Sequence, residues 1–268
     1  MSLLVRDARV MTCDASRPGV GLVDDGAFVV DDGRIVWIGQ GRDAPAADRT
    51  LSFAGRLVTP GLVDCHTHAI FAGDRANEFA MRAAGAGYLE IAAAGGGIAA
   101  TLGPTRNASD DELAELLETR LDVVLAHGTT TIEVKSGYDL TVAGELRLLR
   151  CVARSAQTRV GPRIVPTLLA HLVPPERRDD RDVFVRELVC ELVPAVARER
   201  LATSVDVYCD EGAFTLAEAR AILVAAKTAG LAVRGHVGQF RDLGAADLLA
   251  ELGALSGDHL EHVDDAGI

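Results

Sequence analysis

The sequence lacks the features of several protein classes. It has no apolar run of the roughly 20 residues that a membrane-spanning helix requires, and its N-terminus has no long apolar segment typical of a secretory signal. It is also poor in positive charge, because 27 Lys and Arg residues face 39 Asp and Glu residues and give a net charge of −12. Such a charge opposes binding to nucleic acid and to anionic membranes. We therefore expect neither of them as a partner.

Cysteine is scarce and shows no pattern. The five cysteines are scattered, odd in number and contain no C-x-x-C motif. This usage predicts reduced, mostly buried thiols in a cytoplasmic protein. What is present is ordinary globular composition, since 49% of the residues are hydrophobic and 25% are charged. A chain of 268 residues can bury a large core and form one large domain or two smaller ones.

Residues 1–61 consist mainly of predicted strands. Leu3–Met11 forms one run, Ala27–Gly39 contains two more, and Leu51–Val58 forms another. The Asp32-Gly33 pair inside the second run predicts a hairpin, because its turn requires positive φ angles. This segment is too small to close a core alone, so we expect it to pack with another part of the protein.

Residues 62–268 alternate predicted strands with predicted helices, the pattern of a parallel sheet wrapped by helices. Leu62–Cys65 follows the Pro60-Gly61 break and reads as a strand buried on both faces. Capping boxes at Ser109 and Thr215 each open a helix. The later predicted strands are Thr129–Val134, Arg163–Leu169, Ser204–Tyr208, Leu231–Arg234 and Ala254–Gly257, and further predicted helices are Tyr88–Ala94, Gly144–Gln157, 181–200 and Ala245–Leu252.

Histidines stand at the ends of four of these strands, where the loops of a β/α barrel build active sites. His66 and His68 leave the same face of their strand, because side chains alternate along a strand. A single histidine at a strand end is commonly a hydrogen-bonded structural residue, but the set predicts a metal site. We expect His66, His68 and His236 to supply three nitrogen ligands and to leave one position for water, as in catalytic zinc sites. His259 would then be a neighbouring residue or a proton shuttle.

Seven stretches of the chain carry a resemblance to a known family. They are Pro60–His68, Phe71–Phe79, Ala94–Ile98, Glu133–Tyr138, Ala170–His171, Glu211–Phe214 and Asp258–Glu261. In these stretches the chain resembles the metal-dependent amidohydrolases and, among them, the imidazolonepropionase family, whose members open a ring in histidine degradation. The first stretch is shared across the superfamily, whereas Phe71–Phe79 and Glu133–Tyr138 are more specific. The resemblance runs along nearly all of the chain.

The resemblance implies a (β/α)8 barrel beside a small β-sandwich, with one zinc or iron ion. It also implies hydrolysis of the cyclic amide 4-imidazolone-5-propanoate to N-formimidoyl-L-glutamate by metal-activated water. A guanidinium such as that of Arg75 suits the carboxylate of this substrate. The implied substrate-binding residues are Arg75, Tyr88, Tyr138, His171 and Gln239, and the implied catalytic residues are His259 and Gln239. Without the resemblance, Arg75 could be a surface ion pair, Tyr88 a helix-packing residue and Tyr138 a turn aromatic.

The resemblance also sets expectations about the number of metals and the extent of the fold. Dinuclear relatives bridge their metals with a lysine on the fourth strand, whereas Ser204–Tyr208 has none, so we expect one metal. Six βα units precede Ile268, and the family takes its last metal ligand, an aspartate, from an eighth strand. We therefore expect residues 1–268 alone to have an open barrel edge and near-background activity. The alternatives are a ring deaminase and a non-catalytic metal-binding fragment, and a homodimer is one of the assemblies left open.

Overall fold

A tight hairpin organises the N-terminal part of the chain. Asp32 and Gly33 both have positive φ, 47° and 69°, and they connect β2 (Leu22–Asp31) to β3 (Arg34–Gln40) in an antiparallel pair. β1 (Leu3–Met11) pairs antiparallel with β2. The computed structural model describes residues 1–87, 90–91 and 94–268. The predicted hairpin and the predicted first strand are confirmed.

The predicted single strand over Leu51–Val58 is wrong. The structure has two short strands there, β4 (Arg49–Ser52) and β5 (Leu57–Val58), and both pair with β1 in parallel. Ala54 and Gly55 separate them, with φ angles of 49° and 78° that break the extended backbone. Contacts divide the chain into two compact units, Met1–Leu62 and Val63–Ile268.

A six-stranded sheet forms the second part of the fold. Its strands follow the chain order from β6 to β11, and the pairs from β7 to β11 are parallel. Sequential parallel strands with helices between them are the construction of a β/α barrel. The strands are β6 (Leu62–Asp64), β7 (Thr129–Lys135), β8 (Arg163–Ala170), β9 (Ser204–Cys209), β10 (Ala232–Val237) and β11 (Ser256–His259).

Helices pack between these strands, and the predicted capping boxes at Ser109 and Thr215 are confirmed. Sequence reasoning missed the helices Ala76–Ala83 and Ile98–Asn107. The predicted helix Tyr88–Ala94 lies largely outside the described residues. The described α-helices are α1 (Ala76–Ala83), α2 (Ile98–Asn107), α3 (Asp110–Ala126), α4 (Val142–Thr158), α5 (Arg181–Glu187), α6 (Val193–Glu199), α7 (Leu216–Thr228) and α8 (Ala245–Glu251). Among the described residues, no helix has both the length and the apolar character to cross a membrane.

The helical stretch predicted over 181–200 contains a turn of π-helix. Leu188–Leu192 has this wider winding and joins α5 directly to α6, with Pro194 in the first turn of α6. A proline cannot donate a backbone hydrogen bond, and its ring clashes with the carbonyl four residues earlier in an α-helix. A π-turn before the proline places an extra residue in the winding and avoids this arrangement.

Two expectations about burial are wrong. Leu62 and Val63 are 58% and 67% exposed, since β6 lies at the edge of the described sheet and has β7 as its one strand neighbour there. Three of the five cysteines are exposed, and all five are free. The apolar core lies elsewhere. β8–β10 pack against α5–α8 in one cluster, while β7 packs with α3 and α4 in a second.

Candidate functional site

A cluster of imidazole rings lies at the carboxyl ends of the sheet strands. The ring centroids of His66 and His236 are 4.5 Å apart, and those of His66 and His68 are 5.2 Å apart. His259 lies 5.3 Å from His236, and His171 stacks on His68 at 5.9 Å. These side chains come from positions between 66 and 259 of the sequence, so the fold brings together the histidines that the sequence singled out.

Two of the histidines are each paired with an aspartate. His236 Nδ1 lies 2.9 Å from Asp206 Oδ1, and His66 Nδ1 lies 2.8 Å from Asp258 Oδ2. An ionised carboxylate can only accept a hydrogen bond, so each Nδ1 donates and each Nε2 carries a lone pair. Burial tends to raise the pKa of Asp206, but His236 and Lys135 outweigh it and hold this pKa well below its usual range.

One buried lysine binds both aspartates. Lys135 is fully buried at the end of β7, and its Nζ lies 2.7 Å from Asp206 Oδ2 and 3.4 Å from Asp258 Oδ2. Glu133 Oε2 approaches the same ammonium at 2.8 Å. Burial tends to lower the pKa of Lys135, but Asp206 and Glu133 reverse the effect and raise it. The ammonium is therefore held charged beneath the histidines.

The nitrogen atoms of the cluster fit a metal ion. His236 Nε2 and His68 Nδ1 are buried and have no hydrogen-bond partner among the described residues. Such an unpaired buried acceptor is costly, and a cation would satisfy it. Ligand atoms of His66, His236 and His259 lie within 4.8 Å of one another. A second group, Asp206 with His236 and Asp258, is equally close, but Lys135 already binds both of its carboxylates.

Two further histidines of the cluster, His68 and His171, are held neutral by their surroundings. Burial and the neighbouring imidazoles lower the pKa of His68 to about 2. Burial also lowers the pKa of His171 to about 4, although its hydrogen bond to the Gly137 carbonyl, 3.0 Å from Nδ1, partly opposes the shift. Neutral imidazole is the form that binds a metal ion or accepts a proton.

An aromatic and cationic wall adjoins the histidines. The Tyr138 ring is buried, 5.6 Å from His68 and 5.5 Å from His171. The Arg75 guanidinium carbon lies 6.0 Å from the centre of the Tyr138 ring. Burial raises the pKa of the Tyr138 hydroxyl and Arg75 partly offsets this, so the hydroxyl is a neutral donor. Tyr88, the other tyrosine predicted to bind substrate, lies outside the described residues.

A buried carboxylate fixes the loop that presents Tyr138. Glu145, near the start of α4, accepts backbone hydrogen bonds from Gly137, Asp139 and Leu140. Gly137 and Leu140 have positive φ angles of 94° and 63°, so the backbone between them bends sharply. Burial raises the pKa of Glu145 in spite of these hydrogen bonds. Because three backbone groups depend on one side chain, the position of Tyr138 depends on Glu145.

A second buried carboxylate, that of Asp210, fixes the loop that carries Gln239. Asp210 follows β9 and accepts backbone hydrogen bonds from Gln239, Phe240 and Arg241, at 2.7–3.1 Å. The Gln239 side chain accepts a hydrogen bond of 3.0 Å from the Tyr208 hydroxyl. The Tyr208 ring lies 5.9 Å from His236, so Gln239 is connected to the histidine cluster through this tyrosine.

Comparisons with known proteins identify the family. The chain is 51% identical to an imidazolonepropionase of Rhizorhabdus wittichii, over 99% of the chain and 66% of that protein. Identities are 49% with the protein of Anaeromyxobacter dehalogenans, over 100% of the chain and 65% of that protein, and 43% with that of Vibrio cholerae, over 100% and 67%. The chain belongs to the imidazolonepropionase family. It spans about two thirds of the length of these relatives. No family model matches the chain.

Solved structures agree on the fold. A prolidase complexed with N-methylphosphonate-L-proline superposes with a TM-score of 0.63 at 20% identity, over 100% of this chain and 63% of that one. An A. niger ochratoxinase gives a TM-score of 0.63 at 16% identity, over 99% and 62%. A structure described as an amidohydrolase gives 0.62 at 16% identity, over 100% and 63%. The prediction of an amidohydrolase-type β/α barrel accompanied by a β-rich part is confirmed.

Three polar residues near strand ends differ from one another in their surroundings. His236 lies within β10, not after it, because the strand runs three residues beyond its predicted end. His259 ends β11 with a positive φ of 79°, and its Nδ1 lies 3.4 Å from Glu261. Glu211, another polar residue after a strand, is exposed and pairs with Arg241, whereas its neighbour Asp210 is buried.

Sequence reasoning missed the carboxylate and lysine residues beneath the histidines. A signal for them was present: Glu133 and Lys135 alternate with apolar residues in β7, and Ser204, Asp206 and Tyr208 alternate in β9. In a strand covered on both sides, polar residues with a period of two point to one common face. For a barrel strand of this family, the face carrying such residues is the interior.

Proposed function

We propose that the protein containing this chain hydrolyses 4-imidazolone-5-propanoate to N-formimidoyl-L-glutamate in histidine degradation. The observation that carries the proposal is the 51% identity to an imidazolonepropionase over 99% of the chain. The histidine cluster supports it, because ring opening by water requires a site that activates water and polarises an amide carbonyl. The substrate is a small anion, and we infer a cytoplasmic enzyme.

We assign the metal to His66, His68 and His236, with zinc and iron both compatible with three imidazoles. A bound metal ion would supply a Lewis acid and lower the pKa of a coordinated water. The chain itself supplies the orientation. Asp258 and Asp206 hold the Nδ1 atoms of His66 and His236, so that both Nε2 lone pairs are available to a cation.

Arg75 and Tyr138 are assigned to the propionate carboxylate. A carboxylate must enter this site against a net charge of −12, so a local cation is required. Arg75 is about one-third exposed, and its nearest carboxylate partner, Glu78, is 3.8 Å away, so its guanidinium is accessible to an anion. A guanidinium beside a neutral phenol offers several hydrogen-bond donors to one carboxylate. Tyr88 is proposed as a further donor.

The remaining residues are assigned to the ring. His171 is held neutral by burial, and since its Nδ1 donates to the Gly137 carbonyl, its Nε2 can accept a hydrogen bond from a ring N–H. Gln239, fixed through Asp210, is proposed to hydrogen-bond the imidazolone ring. His259 lies beside His66 and His236 and is proposed to polarise the carbonyl or to move the proton of the attacking water. Residues 1–61 are proposed as part of a β-sandwich and 62–268 as part of the barrel domain.

The test is an assay of ring opening by the complete gene product, with zinc and with iron. We expect formation of N-formimidoyl-L-glutamate, and loss of that activity in His236→Ala. Arg75→Met should lose far more activity on the acid than on its neutral amide, because only the acid needs the cation. Arg82→Met, an exposed change in α1, the helix that follows Arg75, is the control. Equal losses on the acid and the amide would assign Arg75 to folding, and no ring opening by the unmodified protein would refute the proposal.

A further inference from the structure

The buried ammonium of Lys135 contacts the partners of two predicted metal ligands at once. Lys135 Nζ donates to the carboxylate oxygens Asp206 Oδ2 and Asp258 Oδ2. The first of these aspartates holds His236 Nδ1 and the second holds His66 Nδ1. We propose that Lys135 is a positioning residue that fixes both carboxylates and, through them, the tautomer and ring orientation of His66 and His236. This inference rests on the proposed metal site.

The residue type supports the proposal. The chain has 27 basic residues but only two lysines, Lys135 and Lys227. Three separate carboxylates converge on the Lys135 nitrogen from β7, β9 and β11. An ammonium group can direct one N–H toward each of three acceptors, whereas a planar guanidinium matches a single carboxylate with two parallel bonds. Asp206 and Asp258 accept hydrogen bonds from the ammonium and Glu133 adds an ion pair, a converging arrangement that favours lysine over arginine.

The arrangement of strands explains how one residue reaches both pairs. Lys135, Asp206 and Asp258 lie on β7, β9 and β11, which are alternate strands of the sheet. Side chains from alternate strands meet in the interior of a β/α barrel. The ammonium thus connects two histidines whose rings are 4.5 Å apart but whose carboxylate partners come from different strands.

Asp206→Asn tests the connection directly, with nitrogen NMR of histidine side chains in metal-free protein. Lys135 can only donate, so it should hold the oxygen of the new amide and turn the amide NH2 toward His236 Nδ1. His236 should then change from the Nδ1–H to the Nε2–H tautomer, while His66, held by Asp258, keeps Nδ1–H and serves as the internal control. If Lys135 has no positioning role, the amide is free to rotate, its oxygen faces His236, and the tautomer does not change.

A charge-balanced double variant tests the lysine itself. Glu133→Gln with Lys135→Met removes one charge of each sign and keeps the residues of both Asp–His pairs, but it frees the two aspartate carboxylates to rotate away from the Nδ1 atoms. We expect mixed tautomers at His66 and His236, and a zinc dissociation constant raised about 10–100-fold, as for loss of partners that orient metal ligands. Glu133→Gln alone and Lys227→Met, at the second and exposed lysine, should keep the wild-type tautomers and affinity.

The outcomes are separable. A folded double variant with wild-type tautomers and zinc affinity would overturn the proposal and leave Lys135 as a charge-balancing residue. If the double variant does not fold, the tautomer of His236 in Asp206→Asn decides. If the wild-type protein binds no metal, the proposed function fails while the tautomer measurements still support or refute the role of Lys135.

Discussion

The site contains the same carboxylate–histidine pair twice, in two different environments. Asp206 and His236 lie on the central strands β9 and β10, and their side chains are 0% and 4% exposed. Asp258 lies on β11 and His66 follows β6, the two edge strands of the described sheet, and their side chains are 16% and 30% exposed. The Nδ1–oxygen distances are nearly equal, 2.9 and 2.8 Å. The two pairs have nearly the same geometry, but we expect the loss of a partner to cost more unfolding free energy in the buried pair than in the more exposed pair.

The largest expected difference is in the amount of bound metal after each histidine is replaced by alanine. His236→Ala and His68→Ala each remove a buried nitrogen that has no partner among the described residues, and we expect bound metal to fall from about one equivalent to about a tenth. His66→Ala should do the same. His259→Ala should retain most of the metal, because the His259 side chain is more exposed than that of His236 and its Nδ1 faces Glu261. Elemental analysis after dialysis measures this. Greater metal loss in His259→Ala than in His68→Ala would make His259 the third ligand.

Replacing each aspartate by alanine should lower the free energy of unfolding by a different amount. Asp206→Ala leaves Lys135 with one fewer carboxylate in a fully buried position, and removing one partner of such a pair costs about 3–5 kcal/mol of unfolding free energy. Asp258→Ala should cost about 1–2 kcal/mol, because water can reach the groups it leaves. Urea unfolding of the metal-free protein measures both. Equal losses would show that burial does not distinguish the pairs.

The smallest effect concerns acid stability. The folded pKa of His171 is about 4, below its unfolded value near 6.5, so the folded protein binds fewer protons than the unfolded chain between these pH values. Stability should therefore fall as pH falls through this window. When the pH falls from 7.5 to 5, the metal-free His171→Gln variant should lose about 1–2 kcal/mol less unfolding free energy than the metal-free wild type. His127→Gln, at an exposed helix end, is the control, and identical slopes for both variants would contradict the expectation.

Local patterns predicted much of the fold and part of the site. The hairpin at Asp32-Gly33 and the caps at Ser109 and Thr215 depend on neighbouring residues, and all three are present. His66 and His68 were recognisable because they lie two positions apart after a strand. The contacts of Lys135 were not, because they depend on which face of three separate strands points inward. The long-range pairing of Asp258 with His66, 192 positions apart, has no local signal.

Exposure at the sheet edge was mispredicted for a similar reason. Leu62 and Val63 have the composition of a strand covered on both faces, but composition does not determine how many neighbours a strand has. Asp210 was absent from the residues predicted from sequence, because no local pattern separates it from its acidic neighbour Glu211. The two residues differ in their contacts, because the loop Gln239–Arg241, which follows the next strand, donates its backbone N–H groups to Asp210.

The π-turn at Leu188–Leu192 lets one helical stretch contain one more residue than regular winding would. Each residue of an α-helix advances the chain by about 100°, and the wide turn takes up the extra residue, so α6 keeps the direction that places Val193 and Val196 in the core. Deleting one residue there would restore regular α-helical winding without turning these valines away. It would instead bring the ring of Pro194 against the carbonyl four residues earlier. The extra residue is therefore what allows a proline to lie inside a continuous helical stretch.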